Sequence, residues 1–137
     1  MKFVLDASVA LKAVLVETDT DVALRLRAEY LQGIHELVAP DFFFAEVGNA
    51  LVTAERRKVI QLGEAALFFD SWLNSPPRLV PSLQLSVAAI ELAVQMRIAV
   101  YDALYVVLAM EEQCQLVTTD RKLLAAFPAE TVDLASI

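Results

Sequence analysis

Cysteine, histidine, glycine and positive charge are all scarce in this chain of 137 residues. It contains one Cys, one His and three Gly, and its 18 acidic residues against 11 basic ones give a net charge of −7 at pH 7. A lone Cys114 excludes an intrachain disulfide, and Cys114 with His35 supplies too few ligands for a structural zinc site. We therefore expect the chain to work in the reducing cytoplasm.

Long apolar runs are also missing. The run at residues 98–110 is interrupted by Asp102 and ends at Glu111, whereas a membrane span needs about 20 apolar residues. The first residues lead straight into an apolar stretch that stops at Asp6, which is not the pattern of a signal peptide. The length suits one domain, so we expect residues 1–137 to form a single unit. The hydrophobic fraction of 58% excludes disorder and predicts apolar surface left for a partner or a second copy.

Short apolar stretches alternate with longer segments of helical periodicity. The stretches are too apolar for half-exposed strands, which predicts a parallel sheet covered by helices on both faces. The expected fold class is a three-layer α/β/α sandwich with four to five short strands. The predicted strands are 2–5, 37–39, 78–80, 115–118 and 131–134. The predicted helices are 8–16, 19–31, 41–58 with Asp41 as its cap, 61–73, 83–97, 101–113 and 120–126.

Three acidic residues occupy apolar segments that contain no other charge. An ionised carboxylate buried without a partner costs several kcal/mol or more, so each needs a cation, hydrogen bonds or water. No Lys or Arg lies in any of these segments to pair with them locally, which points to an external cation. They are Asp6 in residues 3–11, Glu46 in residues 42–54 and Asp102 in residues 98–110.

Asp120 is a fourth candidate, because it follows the apolar strand 116–119 just as Asp6 follows the first strand. Parallel sheets bind ligands beyond the carboxyl ends of their strands. Carboxylates without His or thiolate ligands suit Mg²⁺ or Mn²⁺. Ions held in this way cut phosphodiesters by activating water and stabilising the leaving oxygen. The net negative charge opposes this interpretation, since phosphate contacts come from Lys and Arg.

Several of these residues also have a structural interpretation. Asp6, Asp102 and Asp120 could each cap a helix, whereas Glu46 is mid-helix among aromatic residues and is harder to explain. Tyr101 and Tyr105 flank Asp102 and could stack on bases, but packing in the core is the favoured interpretation.

Polar and basic residues near the acids are candidates for supporting roles. Ser8 and Thr118, two positions from a strand-end acid, and Asn49, three positions after Glu46, could orient a carboxylate or a bound water. The structural alternative is a satisfied hydroxyl or amide near a turn. The candidate phosphate contacts are Lys12, Arg56, Arg57, Lys58, Arg121 and Lys122.

Together these segments resemble the PIN-domain nucleases, in particular the short VapC-type toxins of toxin–antitoxin pairs. Four motifs occur in the family's order over nearly the whole chain: Val4-Leu5-Asp6-Ala7-Ser8, residues 39–51 around Glu46, Tyr101-Asp102-Ala103-Leu104-Tyr105, and Leu116-Val117-Thr118-Thr119-Asp120.

The resemblance implies cleavage of RNA that depends on Mg²⁺ or Mn²⁺, a homodimer and inhibition by a cognate antitoxin. It assigns the metal to Asp6, Glu46, Asp102 and Asp120, with Ser8 and Thr118 in support. Two alternatives stay open. One is a catalytically silent PIN-fold scaffold that binds proteins. The other is a receiver-type signalling module, which needs a second acid beside Asp6 and a Lys at the fifth strand.

Overall fold

Five parallel strands form the centre of the computed structural model, which describes all residues from 1 to 137. They are β1 (Lys2–Leu5), β2 (Glu36–Pro40), β3 (Arg78–Val80), β4 (Gln115–Thr118) and β5 (Thr131–Asp133). In the sheet they follow the order β3-β2-β1-β4-β5. The chain therefore builds outward from β1 on one side and then crosses to the other side at β4. The boundary between β1 and β4 is a topological switch point, where sheets of this kind bind ligands.

Seven helices cover the sheet. They are α1 (Ala7–Lys12), α2 (Thr20–Leu31), α3 (Phe43–Arg56), α4 (Glu64–Leu73), α5 (Ser86–Met96), α6 (Val100–Glu111) and α7 (Arg121–Ala126). Short 3-10 turns at Ser82–Leu85 and Leu134–Ser136 complete the secondary structure.

Neighbouring residues of a central strand pack into the two hydrophobic cores on opposite faces of the sheet. In β1, Phe3 and Leu5 pack with helices α1 to α4, whereas Val4 packs with α5, α6 and α7. All three side chains are at most 4% exposed. Because both faces are covered at the centre of the sheet, the middle positions of β1, β2 and β4 are apolar, which explains the short apolar stretches there. The predicted three-layer α/β/α sandwich is confirmed.

Three predicted helices begin or end at other residues, and in each case a contact from elsewhere in the chain is the reason. Helix α1 ends at Lys12 rather than at residue 16, since the Thr20 hydroxyl donates a hydrogen bond to the Leu15 carbonyl at 3.1 Å and holds a turn there. Asp41 does not cap α3, because its backbone N–H donates to the Val80 carbonyl at 2.9 Å and prolongs the pairing of β2 with β3. Helix α4 begins only at Glu64.

The capping group of α4 is a side chain of the preceding helix. Glu55 Oε1 accepts hydrogen bonds from the backbone N–H groups of Gly63 and Ala65, both at 3.0 Å. Gly63 has φ +90°, a left-handed conformation that favours glycine. The predicted start at residue 61 is therefore wrong, because these helix-initiating contacts come from α3.

The predicted helix 83–97 is a 3-10 turn followed by α5. Its regularly spaced apolar residues lie on the surface: Leu83 is 85% exposed, Val87 72%, Ile90 54% and Val94 77%. Its buried side is formed instead by small or partly buried residues, with Ala89 fully buried. The helical spacing in this segment thus marks an exposed apolar stripe. No single helix has the length and apolarity to cross a membrane.

Candidate active site

The four acids identified in the sequence lie at the carboxyl edge of the sheet or in the helix turns that start there. Asp6 directly follows β1, and its backbone N–H donates to the Val117 carbonyl of β4 at 3.2 Å. Asp120 follows β4 and precedes α7. Glu46 and Asp102 are in the first turns of α3 and α6. Asp6 and Asp120 thus flank the switch point between β1 and β4.

The charges of the four carboxylates act on one another. Burial is the main cause that raises the pKa of Asp6, and the Asp120 charge raises it further. The pKa of Asp102 is raised by burial and then by the charges of Asp120 and Asp6. Burial also raises the pKa of Glu46, with further contributions from Asp6 and Asp102. All four acids therefore belong to one cluster whose ionised form lacks a compensating cation.

Asp6 has the most developed hydrogen bonding of the four. Thr118 Oγ1 donates to Asp6 Oδ2 at 2.6 Å, and the Ser8 backbone N–H donates to Oδ1 at 3.3 Å. These hydrogen bonds and the Ser8 hydroxyl lower the pKa of Asp6, but desolvation is the larger effect. Thr118 Oγ1 also accepts a hydrogen bond from the Asp120 backbone N–H at 3.1 Å. A single hydroxyl, fully buried, therefore connects the two strand-end acids.

Two of the acids also cap helices, so part of their structural interpretation is correct. Asp6 is the N-cap of α1 through Oδ1. Asp120 Oδ1 accepts from the backbone N–H groups of Lys122 and Leu123 at 2.8 and 3.3 Å, which makes Asp120 the N-cap of α7. Asp102 caps nothing, because α6 has Ala99 at its N-cap. Capping uses one oxygen of each strand-end acid and does not account for Asp102 or Glu46.

Glu46 faces the hydroxyl of Tyr105, a contact that the sequence did not reveal. Tyr105 is 2% exposed, and its proximity lowers the pKa of Glu46 against the larger effect of burial. The two groups do not reach hydrogen-bond geometry, since Glu46 Oε1 and Tyr105 Oη are both buried without a partner. Burial and the Glu46 charge raise the pKa of Tyr105, so this tyrosine stays a neutral donor. The only signal in the sequence is its position three residues after Asp102 on one helix.

The supporting residues differ in what they contact. Thr118 and Ser8 both bind Asp6, and Ser8 Oγ also accepts a hydrogen bond from Thr119 Oγ1 at 3.4 Å. Asn49 is exposed, and its side chain makes no hydrogen bond to an acid. Thr119 is therefore an addition to the predicted set, and a supporting role for Asn49 stays a prediction.

The candidate phosphate-binding residues differ in whether they are already paired within the chain. Lys12 is bonded to Glu17 and the Thr18 carbonyl, and Arg121 pairs with Asp133. The remaining four form no ion pair within the chain: Arg56, Arg57, Lys58 and Lys122.

The donor set fits a hard divalent cation that keeps most of its water. No three acidic, His or Cys side chains are arranged to hold one ion directly. Mg²⁺ does not require three, because it dehydrates reluctantly and is usually bound through one or two carboxylates. Glu46 Oε1 is buried without a hydrogen-bond partner, and the carboxylates raise one another's pKa values. Both observations indicate negative charge that such an ion would compensate.

Replacing Thr118 by Val should impair the cluster without unfolding the chain. The change removes the hydroxyl that favours ionised Asp6, so the pKa of Asp6 should rise further and affinity for a divalent ion should fall about 10- to 100-fold. Isothermal titration with Mn²⁺ measures this loss.

The matched control is Thr131→Val, which changes the other buried polar side chain of the chain. Thr131 Oγ1 donates to the Phe127 carbonyl at 2.6 Å in the loop before β5. Each variant should lose about 1 kcal/mol of stability, but only the change at Thr118 should weaken ion binding. Equal affinities in both variants would contradict the supporting role.

Comparison with known proteins identifies a family and a fold. Residues 3–128 match the family described as PIN domain. No protein of curated function matches at a significant level. The fold is similar to that of PAE2754 from Pyrobaculum aerophilum, with a TM-score of 0.72 and 24% identity over 99% of this chain and 94% of that one.

Two further crystal structures are similar in fold. VapBC2 from Rickettsia felis, bound to a DNA fragment from its promoter, aligns with a TM-score of 0.67 and 15% identity over 97% of this chain and 98% of that one. FitAcB from Neisseria gonorrhoeae aligns with a TM-score of 0.67 and 14% identity over the whole of both chains.

Proposed function

The chain belongs to the PIN domain family, and from that premise we propose that it is a metal-dependent endoribonuclease acting as the toxin of a toxin–antitoxin pair. PIN domains are generally nucleases. Family membership removes the receiver-type alternative. The observation that carries the proposal is the cluster of four carboxylates at the switch point, in which burial and mutual repulsion leave negative charge uncompensated.

In this proposal Asp6, Glu46, Asp102 and Asp120 hold Mg²⁺ or Mn²⁺, one or two of them directly and the others through its bound water. The ion would supply an activated water and charge compensation at the leaving oxygen of a phosphodiester. Thr118 keeps Asp6 ionised through its hydrogen bond to Oδ2 and ties it to Asp120. Tyr105 keeps a neutral, buried hydroxyl beside the Glu46 carboxylate. The chain itself therefore contributes an acidic cluster at the carboxyl edge of the sheet.

Incubation of the purified chain with total RNA tests the proposal directly. Cleavage should require Mn²⁺ or Mg²⁺, should stop with EDTA, and should resume when the ion is restored. Mapping the cut ends identifies the target. Cleavage that persists in EDTA would contradict the metal dependence, and no cleavage with any divalent ion would favour the alternative of a PIN-fold scaffold that binds proteins without cutting RNA.

We further propose that a small antitoxin occupies the groove beside the end of α1. This groove, of about 800 Å³, lies between residues 14–17 and 55–64. Two of its apolar side chains face solvent almost completely, Val16 at 96% and Leu62 at 95%. An apolar helix of a partner fits such a surface, and a partner Arg or Lys reaching the acids would compete with the ion. We propose an antitoxin as the partner because the chain shares its fold with VapBC2 and FitAcB.

Leu62→Asp should therefore separate toxicity from neutralisation. Cells that express the variant together with the protein of the adjacent small open reading frame should stop growing. Cells that express the unaltered chain with the same partner should continue to grow. Leu79→Asp on strand β3, also at an exposed apolar position, serves as the control and should still be rescued. A chain that is harmless when expressed alone would remove the toxin role while leaving the nuclease role untouched.

A homodimer is the remaining partner proposal. The exposed stripe of Leu83, Val87, Ile90 and Val94 is uncharged and would be covered by a second copy. Sedimentation of the isolated chain should give about twice the mass of one copy, and a monomer at micromolar concentration would contradict it.

A further inference from the structure

Tyr101 has an unusual position for an aromatic residue of α6. From Ala103 to Ala109 this helix is buried without interruption, yet the Tyr101 side chain is 60% exposed. It directly precedes Asp102 in the first turn of α6, and its ring contacts Phe42, the N-cap residue of the helix that carries Glu46. Its hydroxyl forms no hydrogen bond within the chain. Neither core packing nor a polar contact therefore accounts for a tyrosine at this position.

The exposed ring is nevertheless held in place. Phe42, in the loop between β2 and α3, meets Tyr101 edge to face with ring centroids 5.5 Å apart and planes at 76°. Phe42 meets the buried Tyr105 in the same manner, at 5.5 Å and 86°. The three rings form a continuous support from the core to the surface. A ring anchored in this way loses little entropy when a flat ligand stacks on it.

The charge of the chain makes such a surface useful. With a net charge of −7 and four acids at the carboxyl edge of the sheet, phosphate contacts alone offer weak attraction for RNA. Stacking between a base and an aromatic ring does not depend on charge and is available to every base. Single-stranded RNA is the form whose bases are free to stack.

We propose that Tyr101 is a substrate-positioning residue, on which a base of single-stranded RNA stacks so that the adjoining phosphodiester lies over the acid cluster. This inference rests on the proposed ribonuclease function and names how its substrate is held.

Steady-state cleavage of a short single-stranded RNA tests it in three variants. Tyr101→Ala and Tyr101→Leu should each raise KM about tenfold, the size of one lost stacking contact, with kcat nearly unchanged. Tyr101→Phe should behave like the unaltered chain, because the ring is retained. Thermal melting of the Ala and Leu variants should fall by no more than a few degrees, since the side chain is largely exposed and only the contact with Phe42, worth about 1 kcal/mol, is lost. A Leu variant indistinguishable from Phe, or a fall in kcat instead of a rise in KM, would overturn the assignment.

A binding measurement separates this inference from the proposed chemistry. The probe is an RNA oligonucleotide carrying 2-aminopurine, whose fluorescence drops when it stacks, added to the chain with Ca²⁺. If the chain cuts no RNA but quenches the probe, and Tyr101→Ala weakens this about tenfold, stacking holds while the nuclease proposal fails. If the unaltered chain does not bind, or Tyr101→Ala binds equally well, the stacking role is wrong. A Tyr101→Ala variant that loses binding to a protein partner but keeps its binding to RNA would likewise overturn the stacking role.

Discussion

Replacing Asp6 or Asp102 by Asn is expected to lower RNA cleavage by more than about a hundredfold while the fold stays intact. Residues that merely support a metal ligand contribute about 10- to 100-fold, so loss of a ligand itself should exceed that range. Asn retains the shape of the side chain and is as good a helix cap as Asp, so the Asp6 variant keeps α1 capped. In both variants a buried charge disappears, and the melting temperature without metal should stay the same or rise.

Asp21→Asn is the matched control for the variant at Asp102. Asp21 also lies in the first turn of a helix, α2, and the substitution makes the same change in charge at an exposed position. Its cleavage rate should equal that of the unaltered chain. The rate with Mn²⁺ and the melting temperature in EDTA are compared for all three variants. An Asp102 variant that cuts RNA normally, or that unfolds, would refute its assignment to the site.

Divalent ions should stabilise the folded chain strongly at neutral pH. An ion at a hundred times its dissociation constant adds about 2.7 kcal/mol, and for a chain of this size that raises the melting temperature by roughly 10 °C. Calorimetry in Mn²⁺ and in EDTA measures the effect. The same melting temperature in both would exclude a metal at the acid cluster, whatever the nucleic-acid activity.

The stabilisation should shrink as the solution becomes acidic. The pKa values of Asp6, Glu46 and Asp102 are raised in the folded chain, mainly by burial. Their contribution to stability is fully present below the ordinary carboxyl pKa and is lost as pH rises through the folded values. Without metal, these groups therefore favour the folded state at low pH. Protons then neutralise the carboxylates in place of the ion, so the ion adds less stability there.

Other carboxylates act in the opposite direction, so the metal-dependent difference is the quantity to compare. The pKa of Glu112 is lowered by hydrogen bonds from Arg78 and Lys2, and that of Asp133 by the Ala135 backbone N–H and by Arg121. Their contributions are lost as pH falls. Because they lie outside the acid cluster, they should affect melting in Mn²⁺ and in EDTA alike. A gain from Mn²⁺ that is the same at neutral and acidic pH would contradict the site.

The positions of most strands and helices could be predicted from the sequence. Several helix starts and the early end of α1 could not. Apolar stretches locate β1, β2 and β4, because strands covered on both faces are mostly apolar. The edge strands β3 and β5 lie where they were predicted, although they are less buried and include Arg78 and Asp133. The errors at residues 13–16, 41 and 61 arise from Thr20, Val80 and Glu55, whose hydrogen bonds end or start helices from another part of the chain. Local propensity cannot report such contacts.

The sequence by itself determined which acids lack a local partner, since no basic residue lies in the apolar segments around Asp6, Glu46 and Asp102. Only the tertiary structure decided that the two strand-end acids come together, because the strand order brings β1 beside β4 and Thr118 contacts both the Asp6 carboxylate and the Asp120 backbone. It also decided between two tyrosines that share one helix face. Tyr101 is in the first turn of α6, at the edge of the core, and stays exposed. Tyr105 lies one turn further along, where the helix is packed against the core, and its hydroxyl is buried beside Glu46.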